Sequence, residues 1–334
     1  MIKKISLTKG FLLGLLMFLV SLGLGLSHWS MPGLEAQTPP AAKLTLKQAG
    51  LSLEQMGNGV YGLVSSFDFP PASPNTAICN GAIVIGSDGV LVVDPFQSPA
   101  LAELMIDTVK TLTDKPIRYA VNTHFHQDHT GGNRALVQRG IPVVGRGLIR
   151  ELMLTQNKGN DPNLTLPTVV VNSDSEIWLG DRVVKLQRVE GHTLGSDLVL
   201  YVPDAKVLIA GDMVFNQRIP FIGNGNVRQW QGSLYRLIAS YPDAKVLPGH
   251  GAVGDVKILQ AQQQYFADLV KLAQSWKVQG LSKEQAIAQS AKIPEAYKDY
   301  QFQALYASKD SGLANNLEVI YDQVSESKAI PLVP

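Results

Sequence analysis

The stretch "NTHFHQDHTGGN", Asn122 to Asn133, places three of the chain's six histidines within six residues and sets an aspartate among them. It follows directly on the apolar run "IRYAV", Ile117 to Val121, which reads as a buried strand. His124 and His126, two apart just past that strand, can point at one ion from a loop. Asp128 and His129 supply an oxygen and a nitrogen from the following turn, a set suited to a neighbouring ion. Four donors in so short a span exceed what one tetrahedral ion takes, so two metal ions are the natural inference. Gly131 and Gly132 then let the backbone fold tightly into the next helix.

Further potential ligands recur at one kind of place. "VVKLQRVEGH" ends in His192, "AKVLIAGD" in Asp212 and "AKVLPGH" in His250, each a strand pattern followed at once by a metal-binding side chain. In layered α/β structures function gathers at strand ends, so these termini can converge on one rim. Only His28 stands apart from this arrangement.

The rest of the chain supplies a body for such a rim. Short β-branched runs recur from residue 60 onward, and Ser87-Asp88-Gly89 turns "GAIVIGSDGVLVVD" into a hairpin. Between strands lie helical patterns such as "SPALAELMIDTVKTL", with Ser98 as cap, Pro99 in the first helical position and apolar residues at 101, 104, 105, 109 and 112. "GGNRALVQRG" and "QWQGSLYRLIASY" are shorter examples. Fully apolar strands imply sheets covered on both faces, hence a layered α/β body over residues 37–254. From Asp255 to residue 334 the pattern is helical only and predicts helices packed on that body, the first presenting Val256, Leu259, Phe266, Leu269, Val270, Ala273 and Trp276. Ser282 with Gln285 caps the next helix, Pro294 begins another, and "LANNLEVIYDQV" forms the last.

Residues 1–36 read as an export signal. Lys3, Lys4 and Lys9 precede the uncharged apolar run Phe11–Leu26, and Leu34-Glu35-Ala36 offers a cleavage site; a retained anchor is the alternative. The expected location is periplasmic or extracellular, with no stable membrane association after cleavage. Cys79 is the single cysteine, so no disulfide forms within the chain, and it is expected as a small buried group on a strand. A net charge of +1, or −1 without the first 36 residues, excludes a broad field for nucleic acid and points to small-molecule substrates.

"THFHQDHTGGN", "EGHT", "AGDMVF" and "PGHG", in that order and preceded by Asp94 in "GVLVVDPF", resemble the motifs of the metallo-β-lactamase superfamily over about residues 55 to 255. The resemblance implies a four-layer αββα sandwich. It also implies two Zn²⁺ per chain, the first on His124, His126 and His192, the second on Asp128, His129 and His250, with Asp212 bridging both and Asp94 orienting a ligand. The implied activity is hydrolysis of an ester, thioester, lactone or β-lactam amide by a metal-bridging hydroxide, with Asp128 orienting it or moving a proton. Superfamily lactamases generally carry Cys or Ser where this chain has Asp212, which argues against a dedicated β-lactamase, whereas export argues for one. The loop Ser65–Asn75, with Phe67 and Phe69 among three prolines, resembles a flap over the groove. Arg218 or Asn224, in the loop Asn216–Asn226, could meet a substrate carboxylate or oxyanion. The superfamily also contains iron enzymes, and His124, His192 and Asp212 alone could form the mononuclear site of a persulfide-dioxygenase-like oxidoreductase.

Overall fold

The computed structural model describes residues 43–326 apart from 68, 160, 162–163, 290–291 and 308–314, so the export signal expected over residues 1–36 lies outside the described residues. Two mixed sheets form the body. The first runs in chain order: β1 (Leu51–Gly57), β2 (Val60–Ser65), β3 (Gly81–Ile85), β4 (Val90–Val93), β5 (Ile117–Val121), β6 (Val143–Arg146) and β7 (Val169–Val171). The second comprises β8 (Ser175–Leu179), β9 (Arg182–Arg188), β10 (Leu198–Val202), β11 (Val207–Phe215) and β12 (Lys245–His250), ordered 12-11-10-9-8. β4 to β7 are mutually parallel, as are β11 and β12, while the remaining neighbours are antiparallel.

The helices are α1 (Leu46–Ala49), α2 (Pro99–Leu112), α3 (Gln127–Thr130), α4 (Asn133–Val137), α5 (Ile149–Leu152), α6 (Val227–Ser240), α7 (Val256–Val278), α8 (Lys283–Gln289), α9 (Ala304–Ala307) and α10 (Asn316–Glu326). Ser98 caps α2 by accepting from the Leu101 amide, with Pro99 opening the helix as its fixed φ allows. Ser282 and Gln285 exchange hydrogen bonds at the start of α8. Pro294, expected to begin a helix, precedes only the short 3₁₀ turn Glu295–Tyr297.

Strand alternation sorts the side chains into layers. Leu91 and Val93 of β4 face the other sheet and join Val84, Val121, Leu186, Leu200, Ile209 and Leu247 in the middle layer. Val90 and Val92 point the opposite way, onto Leu101, Met105 and Val109 of α2 and Leu136 of α4. The outer face of the second sheet packs Val199, Leu208, Ala210 and Val246 under Trp230 and Leu234 of α6 and Leu259, Phe266 and Leu269 of α7. The order of layers is therefore α, β, β, α, with further C-terminal helices continuing the last one. Residues 43 onward form one compact unit, and α7 shares its core with the second sheet. Two strands carried no signal strong enough to read in the sequence. β1 is an edge strand with an irregular polar pattern, and β8, "SEIWL", alternates over only five residues with Trp178 exposed. Among the described residues no helix is long and apolar enough to cross a membrane.

Leu200, fully buried in the middle layer, reports on the sandwich itself. Leu200→Ala is expected to cost about 2–5 kcal/mol of unfolding free energy in a urea titration; a loss below 1 kcal/mol would mean the two sheets are not tightly packed there.

Candidate metal centre

The C-terminal ends of β4, β5, β9 and β12 meet at one rim with the C-terminal half of β11, and each delivers a polar side chain. His124 and His126 follow β5, and α3 begins directly after His126 and carries Asp128 and His129. His192 lies in the loop after β9, and His250 is the last residue of β12. Asp212 differs from the expected strand-end placement, because it sits inside β11. There the pairing with β12 slips on either side of Gly211, whose backbone is left-handed at φ 51°. This irregularity turns Asp212 toward the histidines, the usual use of a bulge beside a site.

The structure brings all seven expected ligands together. The rings of His124, His126 and His192 form a triangle with centroids 4.6, 4.7 and 4.8 Å apart, each pair nearly perpendicular. Asp212 Oδ2 lies 3.7 Å from His124 Nε2 and from His192 Nε2, and 3.3 Å from His250 Nε2. Its Oδ1 lies 3.1 Å from His129 Nε2. Asp128 Oδ2 stands 3.4 Å from both His129 Nε2 and His250 Nε2. The carboxylate of Asp212 thus faces both sets. His124 Nε2 and both ring nitrogens of His192 are buried and make no hydrogen bond, while His129 Nε2 and Asp212 Oδ1, equally buried, face only each other and Asp128 as an ion pair. Each of those three unpartnered nitrogens costs about 1–3 kcal/mol when left so, and three in one place is far from the protein norm. Inward-facing imidazole nitrogens around shared carboxylates are the donor set that borderline divalent ions prefer, so these residues fit a metal pair.

The supporting contacts explain how the candidate ligands are held. Asp94, buried and left-handed at φ 51°, accepts from the Thr123 amide at 2.8 Å and the Thr123 hydroxyl at 2.7 Å. Asp94 Oδ2 also pairs with His129 Nδ1 at 3.0 Å, and Thr123 Oγ1 pairs with His124 Nδ1 at 3.0 Å, so one carboxylate orients a ring from each set. His250 Nδ1 donates to the Ile78 carbonyl at 2.8 Å. Asn80 grips the strand end around it, donating to the Pro248 and Gly251 carbonyls at 2.9 and 2.8 Å. Asp197 accepts from the His192 and Thr193 amides. Thr123, Asn80 and Asp197 were not singled out in the sequence. The only signals were Thr123 beside a cluster of donors, and Asn80 and Asp197 as polar residues at the mouths of apolar strands.

Aromatic rings close the floor. Phe215 stacks on His250 with centroids 4.9 Å apart and a 10° tilt, and Trp230 packs 5.1 Å from His192. Phe221 meets His126 at 5.5 Å, while Asn224 Oδ1 lies 2.9 Å from His126 Nε2. Arg218 is buried, directed at the Asn216 carbonyl and over the Phe302 ring, and lines a cavity of about 400 Å³ with Ser65, Ser66, Gln217 and Gln301. Phe67 and Phe69 of the Ser65–Asn75 loop are exposed at 41% and 47%. Cys79 is buried as expected but lies in the bend before β3, its thiol donating to the Asp128 carbonyl. Burial pushes its pKa well up, which removes it as a nucleophile. Gly131 is right-handed at φ −63°, so the need for glycine there is proximity: a Cβ at Gly131 or Gly132 would meet the Gln97 or Pro95 carbonyl at 2.2 or 2.0 Å.

The sequence profile of the metallo-beta-lactamase superfamily matches residues 75–250. A metallo-beta-lactamase type 2 of Bacillus sp. (strain 170) is 29% identical over 185 residues, 54% of this chain and 69% of that protein. A hydroxyacylglutathione hydrolase of Pelagibacter ubique (strain HTCC1062) is 29% identical over 163 residues, 48% of this chain and 60% of that protein. Among solved structures, a metallo-beta-lactamase from Pontibacter korlensis superposes with a TM-score of 0.57 at 25% identity, covering 65% of this chain and 99% of that one. The chain belongs to the metallo-beta-lactamase superfamily. Its enzyme class is that of a metal-dependent hydrolase.

The two halves of the centre hold protons differently. Burial, reinforced by His192, lowers His126 to about 4. Burial also opposes charge on His250, but the carboxylates of Asp212 and Asp128 outweigh it and raise that ring to about 9. A cation taking His250 must displace a proton below that pH. In chelator-stripped protein, affinity of a divalent ion at the His250 half should therefore climb up to about tenfold per pH unit until about pH 9, with proton release measured by calorimetry in several buffers. No proton release would refute the assignment. Without metal, the charged His250 stabilises the fold fully below its ordinary 6.5, and that contribution is lost as pH rises through about 9. Asp94→Asn should weaken metal binding about 10- to 100-fold in chelator competition; unchanged affinity would mean His129 is oriented without it.

Proposed function

We propose that this protein is a dinuclear zinc hydrolase that cleaves a carbonyl-type bond, an ester, thioester, lactone or β-lactam amide, in a small molecule. His124, His126 and His192 hold one ion, Asp128, His129 and His250 the other, and Asp212 lies between them. The observation that carries this reading is the set of buried ring nitrogens without hydrogen bonds facing Asp212. Two divalent ions held there supply a water acidified from 15.7 toward about 7 and a Lewis acid for the scissile carbonyl.

The chain's own residues then divide the work. Asp128 keeps a fifth of its side chain exposed where Asp212 is almost fully buried, so it is the carboxylate that can reach an incoming water and move its proton. His129 and His250 overcome the effect of burial and keep Asp128 well below the usual carboxylate range, so that it is ionised at neutral pH. Asn224 accepts from His126 through Oδ1, and its Nδ2, which donates to Gln156 Oε1 at 3.0 Å, is the donor that would turn to developing charge on the carbonyl oxygen. Arg218 would serve a substrate carboxylate only through the cavity it shares with Ser65 and Gln301. Phe215, Phe221 and Trp230 exclude water from the ligand rings. Leu194, two residues past His192, is half exposed, and exposed Leu148 donates its amide to the carbonyl of the next residue, Gly195, which favours a substrate with an apolar substituent.

The relatives named metallo-beta-lactamase and hydroxyacylglutathione hydrolase bracket the scissile bond, and Asp212 in the bridging position favours the thioester and lactone side with some β-lactam turnover. The positive segment and apolar run of residues 1–36 support action outside the cytoplasm. One observation favours a second reading: His124, His192 and Asp212 meet at 3.7 Å as a two-histidine, one-carboxylate set suited to a single iron.

Zinc-loaded protein assayed on a cephalosporin, a lactone, a glutathione thioester and a bis-aryl phosphate diester should turn over at least one carbonyl substrate and leave the diester untouched. His124→Ala should reduce that rate by more than about 10³-fold. Inactivity on all four removes the hydrolase reading, and one iron per chain with oxygen uptake replaces it.

A further inference from the structure

The loop Asn216–Asn226 carries Phe221 and Asn224 to His126, yet little within the loop holds it. Its two ends are tied to the body by the Asn216 amide on the His250 carbonyl and the Asn226 amide on the Gly191 carbonyl, and Asn224 also donates to Gln156; the fixings between them come largely from residues some eighty to a hundred positions later. The Gln301 amide donates to the Gln217 carbonyl at 3.0 Å, and the Ile219 amide donates to the Gln301 carbonyl at 2.8 Å, a short parallel bridge. Asn316, fully buried at the start of α10, donates from Nδ2 to the Pro220 carbonyl at 2.8 Å and to Tyr265 Oη of α7 at 2.9 Å. Gln323, two turns further along α10, spans the loop's far end. Its Nε2 donates to the Gly225 carbonyl at 2.8 Å and its Oε1 accepts from the Val227 amide at 2.9 Å. Between these anchors, Phe302 places its ring 5.3 Å from that of His250.

From this arrangement we infer that the C-terminal segment is a clamp on the substrate loop, in which Asn316 and Gln323 are positioning residues that set Asn224 and Phe221 against the metal centre. The loop is pinned at its start, middle and end, and the tip left between Pro220 and Gly225 is the part that faces His126. Gly225 packs closely on the segment bearing His192, since a Cβ there would meet the Gly191 and His192 carbonyls at 2.2 and 2.7 Å. The loop end thus lies close against the His192 segment, and Gln323 holds it there together with the Asn226 amide on the Gly191 carbonyl. The kinetic consequence rests on the hydrolase reading proposed above; the structural one does not.

Gln323→Met keeps the length of the side chain and removes the two hydrogen bonds to the loop, and Gln323→Glu keeps the acceptor for the Val227 amide. In zinc-loaded full-length protein, Gln323→Met should speed amide hydrogen exchange across residues 219–227 roughly tenfold, the equivalent of one or two hydrogen bonds, with metal content and melting temperature near those of the parent. Gln323→Glu should restore part of the protection. On whichever substrate is turned over, Gln323→Met should change kcat or KM by a similar factor while His250-dependent metal uptake stays the same. Unchanged exchange across 219–227 in Gln323→Met would overturn the clamp whatever the enzyme acts on. Faster exchange on an enzyme inactive against every substrate would leave the clamp standing and remove only the hydrolase reading. Faster exchange with unaltered kinetics would show that the loop is clamped but takes no part in positioning substrate, and would overturn that half of the inference.

Discussion

The whole site turns on the placement of one buried carboxylate. Asp212 must face two groups of histidines delivered from different strands, and it can do so only because the backbone on both sides of it is bare. Gly211 supplies a left-handed residue at φ 51° and lies against Thr123, where a Cβ would come within 2.5 Å of the hydroxyl. Gly249 of the neighbouring strand passes so close that a Cβ there would sit 1.9 Å from Asp212 Oδ1. The parallel pairing of β11 and β12 therefore gives up regular register at this point, and the carboxylate is turned inward as a result. A regular strand would direct residue 212 by alternation alone.

Around that carboxylate, strain and hydrogen bonding offset one another. Left-handed backbone at Asp94 and Phe96 costs of the order of 1–3 kcal/mol each. Asp94 recovers this through contacts with the Thr123 amide, the Thr123 hydroxyl and His129. Because those partners also hold His124 and His129, the same contacts that stabilise the turn fix ring orientation in both halves of the centre. The Leu198 amide donates to the Thr123 carbonyl at 2.7 Å, tying the second sheet to the first at the rim. Sheet packing and ligand geometry are one constraint here, which is why the middle layer and the site cannot vary independently.

The C-terminal helices belong to this constraint as well. α7 completes the outer layer with Leu259, Phe266 and Leu269, and α10 reaches past it to the loop that follows Asp212. Read as a sequence, residues 255–334 show amphipathic helices with good caps and nothing that points to the site. Their polar residues Asn316 and Gln323 look like ordinary helix positions, since a hydrogen bond to a carbonyl a hundred residues away leaves no periodic or compositional trace.

What could be read from residue order was whatever is local or repeats. Strand runs, the Ser98-Pro99 helix start, the hairpin at Ser87-Asp88-Gly89 and the crowding of His124, His126, Asp128 and His129 all express themselves within a few positions, and they were sufficient for the layered architecture and the ligand candidates. Tertiary structure decided the rest: that Asp212 lies inside β11 and is aimed by a slip in register, that Asn80, Thr123 and Asp197 hold the candidate ligands in place, that Arg218 is buried over the Phe302 ring, and that α10 bonds to the loop bearing Asn224. These depend on which carbonyl or Cβ comes within 2 to 3 Å of which side chain after the sheets have closed. Distances of that kind are set by packing between segments far apart in the chain, and no short window of sequence contains both partners.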